Sequence, residues 1–160
     1  MDITFSSLPP GGKSTHRKED EIQQSLWAWL ALVKADKGGL SLQDFAYMVP
    51  NGTYLGGGSP KARARYIAKL KSMGFRPGVS DIVLALPRHG YHGAYLELKK
   101  DPGSGWGLRE EQAEWLQRMW SVGYWVSVCR GFEQACEDVH RYLEGLDPRD
   151  AVQKRLNIRA

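Results

Sequence analysis

The sequence predicts an α/β fold, a mixed β-sheet flanked by helices. Three observations carry that expectation. Apolar residues recur at helical spacing in separate segments, short apolar runs lie between those segments, and turns containing glycine or proline divide the two kinds. The order along the chain is helix, strand, helix, strand, strand, helix, strand, helix, which suits a sheet covered by helices.

Each element has its own local reason. Residues 1–15 are rich in Pro, Gly and Ser and read as a flexible tail. From about His16 to Lys34, Ile22, Leu26, Trp29, Leu30 and Val33 repeat on one helical face. "ADKGGLS" breaks that pattern, and "FAYMVP", 45–50, is short, apolar and aromatic, as a strand is. After the glycine-rich loop "NGTYLGGGS", Pro60 opens a helix that runs to Gly74. Residues 81–87, "DIVLALP", and 94–100, "AYLELKK", form two strands joined by the turn "RHGYHG". The loop "DPGSGWG" leads into an amphipathic helix over 108–123, then a strand over 124–129 and a helix from Gly131 to Leu146. The terminal "DPRDAVQKRLNIRA" is either a short basic helix or loose.

Bulk properties set limits. At 160 residues, with 42% apolar and 25% charged residues, the chain suits one domain with a single core. No apolar run approaches the roughly 20 residues that span a bilayer, and the first residues hold no secretory apolar stretch. Two cysteines, Cys129 and Cys136, supply neither a disulfide framework nor a zinc quartet, which points to a reducing cytoplasm. The net charge of +4 mildly favours a polyanionic partner.

The chemistry concentrates in "YLELKK". Strand alternation puts Tyr95, Glu97 and Lys99 on one face and Leu96 and Leu98 on the other. Unpaired charge is costly to bury. Taken alone, then, that face is either a solvated strand surface or a site in which the charges have partners. Asp81, at the entry of the preceding strand, shifts the balance, because a short hairpin brings it close to Glu97. Two neighbouring carboxylates repel unless a hard divalent cation neutralises them. A lysine on the same face could hold or deprotonate a water beside that cation, the arrangement for metal-assisted phosphodiester hydrolysis. Six basic residues, Lys61, Arg63, Arg65, Lys69, Lys71 and Arg76, precede this set with no acid among them. Such a run is a solvated helix face or a track for phosphates, and its lack of i,i+4 partners favours the second.

"SD" followed by "ELK" resembles the PD-(D/E)xK nuclease signature, with Ser80 in place of the usual proline. "VPNG", "GFRPGVSDIVLALPRHGYHGAYLELKK" and "LREEQAEWLQRMWSVGYWVSVCRGFEQA" resemble the VRR-NUC branch of that superfamily, in its phage form. The resemblance covers roughly residues 16–145, which would make 146–160 a basic C-terminal extension. The literal Val-Arg-Arg is absent, Val128-Cys129-Arg130 coming nearest. The resemblance implies a restriction-endonuclease-like core, dependence on Mg²⁺ or Mn²⁺, action on DNA (branched or junction DNA among its forms), a homodimer, and a place in the cytoplasm of a bacterial host. It carries over Asp81 and Glu97 as metal ligands with the Leu98 carbonyl as a third, and Lys99 as the residue that orients the water. It also promotes Asn51 and Gln112 to DNA-binding candidates, beside Lys61, Arg63, Arg65, Lys69 and Arg76.

The superfamily often adds a glutamate from the first helix. On a wheel of about 100° per residue, Glu19 lies within roughly 40° of the centre of the apolar stripe, whereas Asp20 and Glu21 lie more than roughly 120° away. Glu19 is therefore the expected fourth acid, although all three acids also suit a helix N-terminus. A different class, a DNA-binding or assembly module that kept the fold without the chemistry, is the competing expectation. "GGKST" fails as a phosphate loop, because Ser7 stands where its first glycine belongs and no strand precedes it. His89 and His92 read as a hairpin turn, Trp106, Trp115 and Trp120 as packing, and Cys129 as a small buried residue.

Overall fold

The computed structural model describes residues 19–35, 38–49, 59–100 and 106–159. Within these, a four-stranded sheet runs in the order β1 (Ala46–Met48), β2 (Ile82–Leu84), β3 (Ala94–Lys99), β4 (Trp125–Arg130). The first three strands are antiparallel neighbours, and β4 joins β3 in parallel. The sheet is mixed, as expected. Residues 1–15 fall outside the described set.

Helices cover both faces. On one side α1 (Glu19–Leu30) and α4 (Gly131–Leu143) pack Ile22, Leu26, Trp29, Leu30, Cys136, Val139 and Tyr142 against Ala94, Leu96 and Leu98. On the other, α3 (Glu110–Ser121) and α5 (Asp150–Leu156) bring Leu116, Val152 and Leu156 onto Val126 and Val128. The terminal segment is thus helical over α5, and the apolar face within "AVQKRL" is buried rather than loose. By contrast α2 (Pro60–Ser72) buries no side chain. Ser59 caps its first turn by accepting from the Ala62 N–H. No helix among the described residues is long and apolar enough to cross a membrane.

The expected boundaries shift where side chains lose a neighbour. α1 stops at Leu30 instead of running to residue 34, and the chain turns so that Lys34 bridges Ser41. β1 spans three residues because only 46–48 face β2, although the Val49 N–H still donates to the Asp81 carbonyl. The "RHGYHG" turn closes on an Arg88–Tyr91 bridge with His89 at φ 48°, as the hairpin reading requires.

Behind β4 lies a buried polar cluster. Asp138 of α4 is fully buried and accepts from Ser127 Oγ, from Arg149 Nε at 2.7 Å and from Arg149 Nη2 at 2.8 Å. Arg149 Nη2 also donates to the Val128 carbonyl at 2.9 Å, which ties the entry of α5 to the edge strand. Removing one partner of such a pair leaves the other charged and dry. Arg149→Met should lower the unfolding free energy by about 3 kcal/mol, read as a fall in the urea midpoint, and adding Asp138→Asn should recover part of it. A midpoint unchanged in Arg149→Met would show that the pair contributes nothing.

Candidate active site

Asp81 sits one residue before β2, and the Ile82–Leu96 pairing sets it level with Glu97 on β3. Its carboxylate is fixed in place, since the Leu98 N–H donates to Asp81 Oδ2 at 2.8 Å. Gly78, three residues earlier, has φ +86° and lies so close to α3 that a Cβ there would stand 2.6 Å from the Glu111 carbonyl oxygen. Only glycine lets the segment carrying Asp81 dock against the first turn of α3.

That docking decides the fate of the charged strand face. Glu97 is fully buried, and a solvated face is excluded. The cover is Gln112, itself 3% exposed. Its Nε2 donates to Glu97 Oε1, while its Oε1 accepts from Lys99 Nζ at 3.2 Å and from the Arg109 N–H at 3.0 Å. Lys99 Nζ completes the ring by donating to Glu97 Oε1 at 2.8 Å. Gln112, a DNA-binding candidate, lines the cleft with both ends of its amide engaged inside the protein, where it holds Glu97 and Lys99. The Arg109 backbone is the unforeseen member, and the Arg109 side chain is exposed at the mouth of the site.

Glu97 Oε2 is the exception to this satisfaction. It is buried and accepts no hydrogen bond from the described residues. Burial, followed by the nearby Asp81 charge, pushes the Glu97 carboxyl up to about 7, against the opposing pull of the Lys99 ammonium and of Arg109. A carboxylate desolvated beside a second carboxylate, with one oxygen unmatched, suits a hard divalent cation. Among the described residues no three Asp, Glu, His or Cys side chains gather into one metal-binding group. Asp81 and Glu97 could be supplemented by the Leu98 carbonyl and by water, in keeping with the habit of Mg²⁺ to take one or two carboxylates and retain waters.

A cavity of about 440 Å³ opens onto these groups, lined by Asp81 at the entry of β2, by Glu97, Leu98 and Lys99 of β3 and by Gln112 of α3. Glu19, Asp20 and Gln23 of α1 line its far wall. Glu19, which the helical wheel pointed inward, and Asp20, which it pointed towards solvent, are both exposed and both line the cavity. The wheel was centred on the core stripe, whereas the cleft lies to one side of it. Glu21 does not line the cavity. Lys61, Arg63, Arg65, Lys69 and Arg76 are all exposed, the first four along α2. Asn51 lies outside the described residues.

Comparison with solved structures finds a protein described as a "VRR_NUC domain protein", 26% identical, with a TM-score of 0.66, the match covering 87% of this chain and 98% of that one. This likeness supports the VRR-NUC family for this chain and agrees with the mixed sheet and its flanking helices. No family model matches the sequence, and neither does any curated protein.

Proposed function

We propose that this chain is a divalent-metal-dependent deoxyribonuclease that hydrolyses phosphodiester bonds. The observation that carries the reading is Glu97, a fully buried carboxylate with one unmatched oxygen, held opposite Asp81 on the wall of an open cleft. The likeness to the VRR_NUC domain protein supports it independently.

Asp81, Glu97 and the Leu98 carbonyl would hold Mg²⁺ or Mn²⁺, with Glu19 the expected further acid from α1. When bound, such a cation supplies Lewis-acid stabilisation of the charge developing on the phosphate and a lowered pKa for its water. Asp81 is oriented by the Leu98 N–H, which fixes the direction of its carboxylate. Lys99 Nζ, steered by Glu97 and Gln112, has a third N–H for an attacking water or a non-bridging phosphate oxygen. Arg109, which lines the cleft, and the exposed basic side chains of α2 would contact flanking phosphates, fixing register without reading sequence. Selectivity for branched or junction DNA, and a homodimer that cuts two strands together, extend the same proposal. Light scattering that finds only monomer, with and without DNA, would remove the homodimer.

Supercoiled plasmid and a synthetic four-way junction, each with Mg²⁺, Mn²⁺ or EDTA, form the test. Cutting with either metal and none in EDTA is expected. DNA binding without nicking at any metal concentration would favour the binding-module reading, for which the exposed basic α2 is the specific support.

A further inference from the structure

A second cavity, of about 480 Å³, adjoins the first along α1. Asp20, Gln23, Gln24, Trp27 and Ala28 line it, together with Met48 of β1. The five helix residues fall at i, i+3, i+4, i+7 and i+8, one stripe of α1 beside the stripe of Ile22, Leu26, Trp29 and Leu30 that enters the core. Asp20, Gln23 and Met48 line both cavities, so the two are neighbours.

The lining chemistry of the two differs. The first cavity carries Lys99 and Arg109, whereas among the described residues the second has no cation and one carboxylate, which repels a phosphate. What remains is a half-buried indole, an exposed thioether, a methyl group and two primary amides. An indole and a thioether suit a flat π-face, and amides with a carboxylate suit the mixed donor and acceptor edge of a base. A base can enter only out of its stack, where its edge is open to hydrogen bonding.

We propose that this second cavity receives one unpaired nucleobase of the DNA strand whose phosphate lies in the cleft, stacked on Trp27 and Met48 and met at its edge by Gln23, Gln24 or Asp20. The inference rests on the nuclease reading and deepens it. Selection for branched DNA then comes from a nucleotide that is already unstacked, since a fully paired strand would first have to surrender one to the pocket.

Two readouts test it. In the first, wild type cuts branched substrates in which single nucleotides beside the cut are unpaired, each made with the base present or abasic. Removing one particular base should slow cutting about tenfold, within the span of base–aromatic stacking. Ala28→Phe, an exposed helix position whose larger side chain fills the pocket, should cut slowly and lose its response to that base. Trp27→Leu should do the same, and thermal melting of both variants checks their folding. In the second, 2-aminopurine at the same positions reports unstacking and capture by Glu97→Gln protein, with DNA binding followed by anisotropy. A fluorescence change at one position, lost in Glu97→Gln/Ala28→Phe, is expected. DNA that binds with no 2-aminopurine response, together with cutting indifferent to base removal, overturns the pocket while leaving the nuclease standing. The fluorescence response without cutting by wild type sustains the pocket and sinks the nuclease.

Discussion

Glu97→Gln should slow cutting on the order of 10³-fold and, at alkaline pH, make the metal-free protein more stable. The activity loss follows from removing a metal-binding oxygen. Lewis-acid stabilisation is worth several kcal/mol, which at 1.36 kcal/mol per tenfold is a rate loss on the order of 10³. The stability gain follows from burial. The Glu97 carboxyl titrates at about 7 in the folded protein against 4.5 for an ordinary glutamate, so between those values the native state binds the extra proton. Stability therefore falls as pH rises through that window, and above it the ionised carboxylate costs about 3 kcal/mol. Glutamine imitates the protonated acid and preserves an oxygen for the Gln112 amide.

Urea unfolding in EDTA at pH 5 and pH 8 reads this directly. The variant and wild type should be close at pH 5 and separate at pH 8, with the variant ahead; all other acids titrate in both and cancel. Adding Mg²⁺ or Mn²⁺ at pH 8 should raise the wild-type melting temperature and leave the variant unmoved, because a ligand that binds only the folded site stabilises it. If the variant is less stable at both pH values, burial of Glu97 is not the destabilising feature argued here. If the metals stabilise both proteins equally, Glu97 is not a ligand.

The parts of this site that sequence could reveal are those set by local period. Alternation along "YLELKK" placed Glu97 and Lys99 on one face, and the helical stripe of Ile22, Leu26, Trp29 and Leu30 is the buried face of α1. The short hairpin brought Asp81 level with Glu97. What local period cannot reveal is what covers a face. Nothing within β3 distinguishes a solvated Glu97 from a buried one; the difference is made by α3, thirteen residues on from Lys99 at Gln112, and by Gly78, whose missing Cβ admits that helix. Gln112 was visible only as part of a motif, with its partners hidden. Asp20 is exposed, as the wheel placed it, and so is Glu19, which the wheel pointed inward: the wheel locates the core, and the cleft flanks the core. The second cavity needed Met48 from β1 opposite Trp27, a meeting of elements about twenty residues apart that no spacing rule reports.

Lys99 has two jobs that geometry alone leaves entangled, and substitution separates them. Its ammonium balances Glu97, pulling the carboxyl down against burial, and in the proposed reaction it would orient or deprotonate the attacking water. Lys99→Ala removes both. Cutting should fall by about 10²- to 10⁴-fold, the usual worth of a positioned proton-transfer group. The Glu97 carboxyl, deprived of its cation, should titrate higher still, so the fall in metal-free stability should extend to higher pH than in wild type. Lys99→Arg restores the charge but substitutes a planar guanidinium that does not surrender a proton. If Lys99 works on water, the arginine variant regains the wild-type pH profile of stability in EDTA and remains more than about 100-fold slow. If charge balance is all that Lys99 provides, stability and cutting return together in Lys99→Arg, and water activation must then be credited to Glu19 or Asp20 across the cleft.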